Sequence, residues 1–301
     1  MRLTLARTLL AAAAALAGTW GAAGPASAQG KALVVGGKNF TEQLILAEMT
    51  TELLKAKGLR AEKKDGLASA LLRQAQEKGE VDLYWEYTGT ALVVYNKVED
   101  RLSPEQTYER VKELDGRKGL VWLKPSTANN TYAIALQADT AAQKNLKTIS
   151  DLAKAVEGSN FKLATDGEFA RRDDGLVGLQ KAYGFTYPRT NLVLMDPGLT
   201  YEALRQGRVE TAVVLTTDGR VKAFNLAVLQ DDKTFFPSYV LAPVARKEAL
   251  DANPGLADAL NDLSGRLTED VMRGLNAEVD VDKRDVRQVA ADFLKKQNLL
   301  R

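Results

Sequence analysis

The sequence predicts a mixed α/β protein built as two lobes with a ligand cleft between them. Three observations predict it. The chain has 301 residues, enough for two lobes of roughly 100–150 residues each with buried cores. Short β-rich runs alternate with helical patterns, which implies parallel-rich sheets covered by helices. Two helix–glycine–strand corners also repeat similar wording. Arg73-Gln74 leads through Gly79 into Val81-Asp-Leu83, and Arg205-Gln206 leads through Gly207 into Val209-Glu-Thr211, as expected of two lobes on one plan.

Each element follows from local pattern. Ala32-Leu-Val-Val35 is a buried strand by its continuous apolar run. Asn39 then caps a helix, with Glu42 three residues later completing a capping box. Leu46, Met49, Leu53 and Leu54 keep helical spacing until Lys55, Lys57 and Gly58 stop it. A second helix over 67–78 ends at Gly79 and feeds the strand Val81-Asp-Leu-Tyr84. Further on, Ser150 starts a helix, Phe161-Lys-Leu-Ala164 is a strand, and 175–183 is helical. A strand over 191–195, a helix over 201–206 and a strand over 211–215 follow, and the chain from about Arg246 is mostly helical. No low-complexity linker separates the lobes, so strands crossing near Tyr132 and again near Tyr239 join them.

Composition removes whole classes of chemistry. The chain has no histidine and no cysteine, hence no Ser-His-Asp triad, thiol nucleophile, imidazole–metal or thiolate–zinc site, and no disulfide. Lysine and arginine total 41 against 39 acids, and both excess positives, Arg2 and Arg7, lie at the start. The balanced remainder argues against a nucleic-acid binder.

Arg2 and Arg7 flank a start that continues into the apolar run from Thr8 to Ala17; Gly24-Pro25 and Ala26-Ser27-Ala28 follow. A basic start, a short apolar stretch and a small-x-small cleavage site make a secretory signal peptide, too short for a membrane-spanning helix of about 20 apolar residues. No cysteine follows it to carry a lipid, so the expectation is a periplasmic protein of 301 − 28 = 273 residues. The expected organisation is signal peptide 1–28, first lobe 29–133 with 240–301, and second lobe 134–239.

Three segments place tyrosine beside small polar residues at strand ends: Tyr84-Trp-Glu-Tyr87-Thr-Gly-Thr90, Asn129-Asn130-Thr131-Tyr132 and Phe235-Phe-Pro-Ser-Tyr239. In open α/β sheets ligands bind outside the carboxyl ends of strands. A lone tyrosine there is commonly a packed rim residue; three in like contexts point to a shared aromatic site. A second set is cationic. Lys38 stands before a helix N-terminus, whose free N–H groups suit an anion, with a solvated loop lysine as the alternative. Arg171 or Arg172 reaches the cleft or pairs with Asp173 or Asp174. Thr88 and Thr90 add hydroxyl donors. Aromatic faces with a carboxylate clamp describe a quaternary ammonium ligand, which offers no N–H and is held by ring faces at about 0.5–2 kcal/mol each.

Five ordered motifs carry a resemblance: Gly36-Gly-Lys-Asn-Phe-Thr-Glu-Gln43, Asp82-Leu-Tyr-Trp-Glu-Tyr-Thr-Gly-Thr90, Asn130-Thr-Tyr132, Thr217-Asp-Gly-Arg220 and Asp231-Asp-Lys-Thr-Phe-Phe-Pro-Ser-Tyr239. Together they resemble the glycine betaine/choline-type substrate-binding proteins of osmoprotectant ABC importers, from about Leu33 to the C-terminal helices. The resemblance implies a two-lobed periplasmic-binding-protein fold that closes on its ligand and docks on a membrane permease. It implies no enzymatic activity, no cofactor, no nucleic-acid partner and a monomer. It places Tyr87, Tyr132 and Tyr239 as cage aromatics, Lys38, Thr90 and Arg172 at the ligand's carboxylate, and Asn130 beside the cage. One departure stands out. Many relatives carry a further cage tyrosine just before Thr-Asp-Gly, where this chain has Leu215. Phe40, Trp85 and Trp122 are the candidate replacement walls. Other readings are a binding protein of the same fold for a different cationic or zwitterionic solute, a receptor-linked sensory module, and an enzyme using Glu86, Asp166 or Lys38, for which no nucleophile–base spacing speaks.

Overall fold

The computed structural model describes residues 31–300; the expected signal peptide lies outside them. The chain opens with β1 (Leu33–Lys38), α1 (Thr41–Ala56), β2 (Ala61–Leu67), α2 (Ser69–Glu77) and β3 (Leu83–Tyr87). A π-helical stretch, Thr90–Tyr95, leads to α3 (Pro104–Gly116) and β4 (Leu120–Trp122). Then come β5 (Tyr132–Gln137), α4 (Ala138–Gln143), α5 (Ile149–Val156), β6 (Leu163–Thr165), α6 (Leu176–Tyr183) and β7 (Leu192–Leu194). They continue into α7 (Pro197–Arg205), β8 (Thr211–Leu215), α8 (Arg220–Ala223) and β9 (Leu226–Val228). The chain returns through β10 (Leu241–Arg246) to α9 (Lys247–Ala252), α10 (Leu256–Ser264), α11 (Glu269–Asp280) and α12 (Val286–Lys296).

These strands form two five-stranded sheets of one topology. The first runs β2-β1-β3-β10-β4 and the second β7-β6-β8-β5-β9. In each, the first three strands are parallel and the fourth is antiparallel to both its neighbours. The repeat is close in element length and spacing as well. The stretch from α2 through β3 recurs as α7 through β8 with a constant offset of 128 residues, from Ser69 to Pro197 and from Tyr87 to Leu215. Gly79 and Gly207 take the same left-handed turn (φ 77° and 66°) before each strand, a conformation that favours glycine. The shared plan therefore holds, but the Arg-Gln wording is four residues out of register: Arg73 corresponds to Tyr201.

The two sheets are linked where β4 passes to β5 and β9 passes to β10. There Asn129 and Val240 form an isolated antiparallel bridge. The Asn130 N–H donates to the Tyr239 carbonyl (3.2 Å), and the Tyr239 N–H donates to Asn129 Oδ1 (2.7 Å). Asn130 and Tyr239 thus sit on paired segments between the sheets, and Tyr132 begins β5 next to them.

The core explains why β1 carries two glycines. A Cβ on Gly36 would lie 2.5 Å from the Leu72 side chain and 2.9 Å from Val81, so only glycine lets α2 pack on the strand. Ile45, Leu46, Met49, Leu53 and Leu54 of α1 are wholly buried, each such side chain stabilising by about 1.5–3 kcal/mol. The helix α1 packs on β1 and on α10, α11 and α12, which joins the C-terminal helices to the first sheet.

Two local expectations are corrected. Helix α1 is capped at Phe40 with no side-chain cap, and Glu42 does not close a capping box. Its carboxylate accepts instead from four side chains distant in sequence, more than one helix-end N–H offers. The strand expected over 81–84 runs 83–87, because the Asp82 carboxylate turns to accept the Val34 N–H at 2.8 Å and pairing continues through Tyr87. Tyr84-Trp-Glu-Tyr87 is therefore the strand itself, not the loop after it.

Candidate functional site

A cavity of about 360 Å³ lies at the carboxyl ends of the central strands of both sheets. Lys38, Tyr87, Thr90, Asn130, Tyr132, Arg172 and Tyr239 all line it, although they are spread across two hundred residues of chain. Strand ends deliver Lys38 (β1), Tyr87 (β3) and Tyr132 (β5); the segments between the sheets deliver Asn130 and Tyr239.

The aromatic side is built on Tyr132. Its ring stands edge-on to Tyr239 (centroids 5.4 Å, 89°) and is backed by Phe169 at 4.8 Å. Tyr87 stacks on Phe40 (6.2 Å, 26°). Burial pushes the phenols of Tyr87, Tyr132 and Tyr239 above their ordinary range. A phenol is neutral at pH 7 even at its ordinary value, so each ring presents a neutral π face, the form that attracts a cation.

The cationic side is already partnered within the protein. The Lys38 ammonium sits 2.5 Å from Glu86 and 4.9 Å from the centroid of the Tyr87 ring, so it is neither a solvated loop lysine nor an unpaired charge. Arg172 is buried while Arg171 is exposed, which decides between the two. Arg172 makes a two-pronged ion pair with Asp174, and Asp174 also accepts from the Tyr239 hydroxyl at 2.7 Å. The same guanidinium reaches Thr90 Oγ1 and Tyr132 Oη, both at 3.3 Å. Both alternatives for this arginine, cleft and ion pair, hold together.

Sequence reasoning missed Glu42, the hub of the site. Tyr87 Oη (2.7 Å) and Asn130 Nδ2 (2.9 Å) donate to one oxygen; Thr217 Oγ1 (2.6 Å) and Asn276 Nδ2 (3.1 Å) donate to the other. These donors come from both sheets' lobes and from the segment between them. Burial raises the Glu42 carboxyl above its ordinary range despite the four hydrogen bonds, each of which acts to lower it. The motif that held Glu42 was visible, but helix-cap logic assigned the residue elsewhere.

Leu215 lines the cavity at the end of β8, and its N–H donates to Tyr201 Oη at 2.8 Å. Of the three candidate replacement walls only Phe40 faces the cavity. Trp85 is buried with Nε1 donating to Thr50, and Trp122 is buried with Nε1 donating to Asp115. Tyr201, which the sequence offered only as a helix start, also lines the cavity, with the Arg220 guanidinium 4.1 Å from its ring centroid.

Two α/β lobes of one topology with a polar, aromatic-lined cleft between them define a two-lobed solute-binding protein. The chain belongs to the family described as the substrate-binding domain of the ABC-type glycine betaine transport system, which matches residues 31–296. It is 44% identical over 280 residues to a glycine-betaine-binding protein of Pseudomonas aeruginosa, covering 91% of this chain and 90% of the relative. It is 35% identical to the glycine betaine-binding protein YehZ of Escherichia coli, covering 87% and 90% of the two chains. Among solved structures, one titled as a glycine betaine/carnitine/choline ABC transporter matches with a TM-score of 0.70 and 29% identity, covering 89% of this chain and 99% of that one. The family works in transport by binding a substrate. Among the described residues no helix is long and apolar enough to cross a membrane.

Proposed function

We propose that this protein captures a small quaternary ammonium compound between its lobes, in the periplasm, and delivers it to the membrane permease of an ABC importer. Residues 1–28 serve as the cleaved signal peptide, and the lobes are 29–133 with 240–301, and 134–239. Tyr87, Tyr132 and Tyr239 hold the ammonium by their ring faces. Lys38, Thr90 and Arg172 serve a carboxylate at the other end of the ligand, and Asn130 fixes the cage through Glu42. The protein acts as a monomer.

The observation that carries this reading is convergence. Lys38, Tyr87, Thr90, Asn130, Tyr132, Arg172 and Tyr239, the residues suited to ammonium and carboxylate chemistry, meet in one cavity. The names of the relatives, glycine betaine for two and glycine betaine, carnitine or choline for the solved structure, agree with that chemistry. Isothermal titration of the wild type and of Tyr87→Ala and Tyr132→Ala with glycine betaine and choline tests it. Loss of a ring is expected to weaken binding by more than about tenfold. Wild-type affinity in both variants would refute the cage.

A further inference from the structure

Arg172 has no donor to spare. A guanidinium carries five N–H groups. Nε and one N–H of Nη2 go to Asp174, the other N–H of Nη2 goes to Thr90, and Nη1 serves Tyr132 Oη and Glu168 Oε1, the last at 3.2 Å. Five donors therefore meet five acceptors inside the protein. A ligand carboxylate can reach this arginine only by displacing one of them.

Of the two carboxylates on this arginine, Glu168 is the displaceable one. The Asp174 side chain is 2% exposed and also held by Tyr239, whereas the Glu168 side chain is 28% exposed and lines the cavity. The second oxygen of Glu168 accepts the Ser69 N–H at 3.3 Å. Ser69 is the first residue of α2, whose N-cap Ala68 provides no side-chain cap. The Glu168 carboxylate thus bridges a guanidinium in one lobe and an uncapped helix start in the other. Both donors are of the kind that recognises a carboxylate.

We propose that Glu168 is an internal carboxylate that occupies the carboxylate seat of the cleft and sets its selectivity between zwitterionic and purely cationic quaternary ammonium ligands. This rests on the reading of the cleft as a quaternary-ammonium site. A zwitterion must evict Glu168 from Arg172 and Ser69 to place its own carboxylate. A ligand ending in a hydroxyl leaves Glu168 in place and gains a negative charge in the same cavity. Glu168 therefore favours choline-like cations over betaine-like zwitterions.

The test is a titration of wild type, Glu168→Gln and Glu168→Ala with glycine betaine and with choline. Both variants are expected to bind glycine betaine more tightly and choline more weakly, shifting the ratio of the two dissociation constants by at least about tenfold. A ratio within about twofold of wild type overturns the proposal, as does parallel weakening of both ligands, which would make Glu168 a tie between lobes only. Binding of neither ligand to any of the three proteins would take down the cage reading, and this inference with it. A changed affinity with an unchanged ratio takes down the selectivity role alone.

Discussion

The stretch from α2 to β3 and the stretch from α7 to β8 are one backbone used twice, and they differ where it matters. Both are nine-residue helices that turn at a left-handed glycine into a five-residue strand. The first ends in Tyr87, whose hydroxyl is fixed by Glu42; the second ends in Leu215. Their antiparallel partners reverse the pattern, since Tyr87 pairs with Leu241 and Leu215 pairs with Tyr132. Each lobe thus offers one tyrosine and one leucine at equivalent strand ends, on opposite strands. Inside the helices the same offset sets Arg73, ion-paired with Asp115, against Tyr201, beneath Arg220. The repeat supplies a frame for a cleft, and side-chain choice at matched positions supplies its chemistry.

Substitutions at the matched positions can break this comparison. The largest effect is expected at Asp115, which accepts from Arg73 through both terminal nitrogens and from Asn96 and Trp122. Asp115→Ala leaves the buried Arg73 guanidinium with only the partly exposed Glu77 carboxylate as an ion-pair partner and should cost about 3 kcal/mol in urea denaturation, with no counterpart at Tyr201 in the second lobe. A loss under about 1 kcal/mol would show that the first lobe does not depend on this pair. Next comes Leu215→Tyr, which gives the end of β8 the residue that ends β3. Glycine betaine affinity should rise by roughly 2- to 30-fold, the contribution of one more ring face. Unchanged affinity would mean that Phe40 or Tyr201 already supplies that wall.

The smallest effect is a pH signature that separates two buried carboxyls. For Asp115, burial alone would raise the carboxyl, but the Arg73, Asn96 and Trp122 hydrogen bonds hold it below its ordinary range. Its stability contribution is therefore present above the unfolded value of about 3.9 and lost as pH falls through the lower folded value. Glu42 has the opposite sign. Its raised carboxyl contributes stability below the unfolded value of about 4.3 that is lost as pH rises through the folded value. Glu42→Gln, neutral at every pH, should lack that decline in denaturation curves above pH 4 or so. A variant that still declines like wild type would remove Glu42 from the account.

Much of this architecture was legible because period and punctuation report backbone. Continuous apolar runs gave β1 and β8, and Gly79 and Gly207 marked turns that need a left-handed residue. Aromatic and cationic residues near strand ends gave the cavity lining. What the pattern hid is tertiary competition. Helix-cap logic claimed Glu42, but four donors distant in sequence hold it more strongly than one local N–H. The Arg172–Asp174 pair was legible from two neighbouring residues, but nothing local reveals that Lys38 meets Glu86, or that Arg172 also meets Glu168, before either meets a ligand. The true register of the repeat was also hidden, because equivalent positions carry residues as unlike as Arg73 and Tyr201.

In the proposed function, three tyrosines drawn from both lobes and the segments between them seat a quaternary ammonium. A crystal structure of the protein with glycine betaine or choline tests it most directly. The ammonium nitrogen is expected within about 6 Å of the ring centroids of Tyr87, Tyr132 and Tyr239. A ligand seated elsewhere in the cavity, with its ammonium away from those rings, would contradict it.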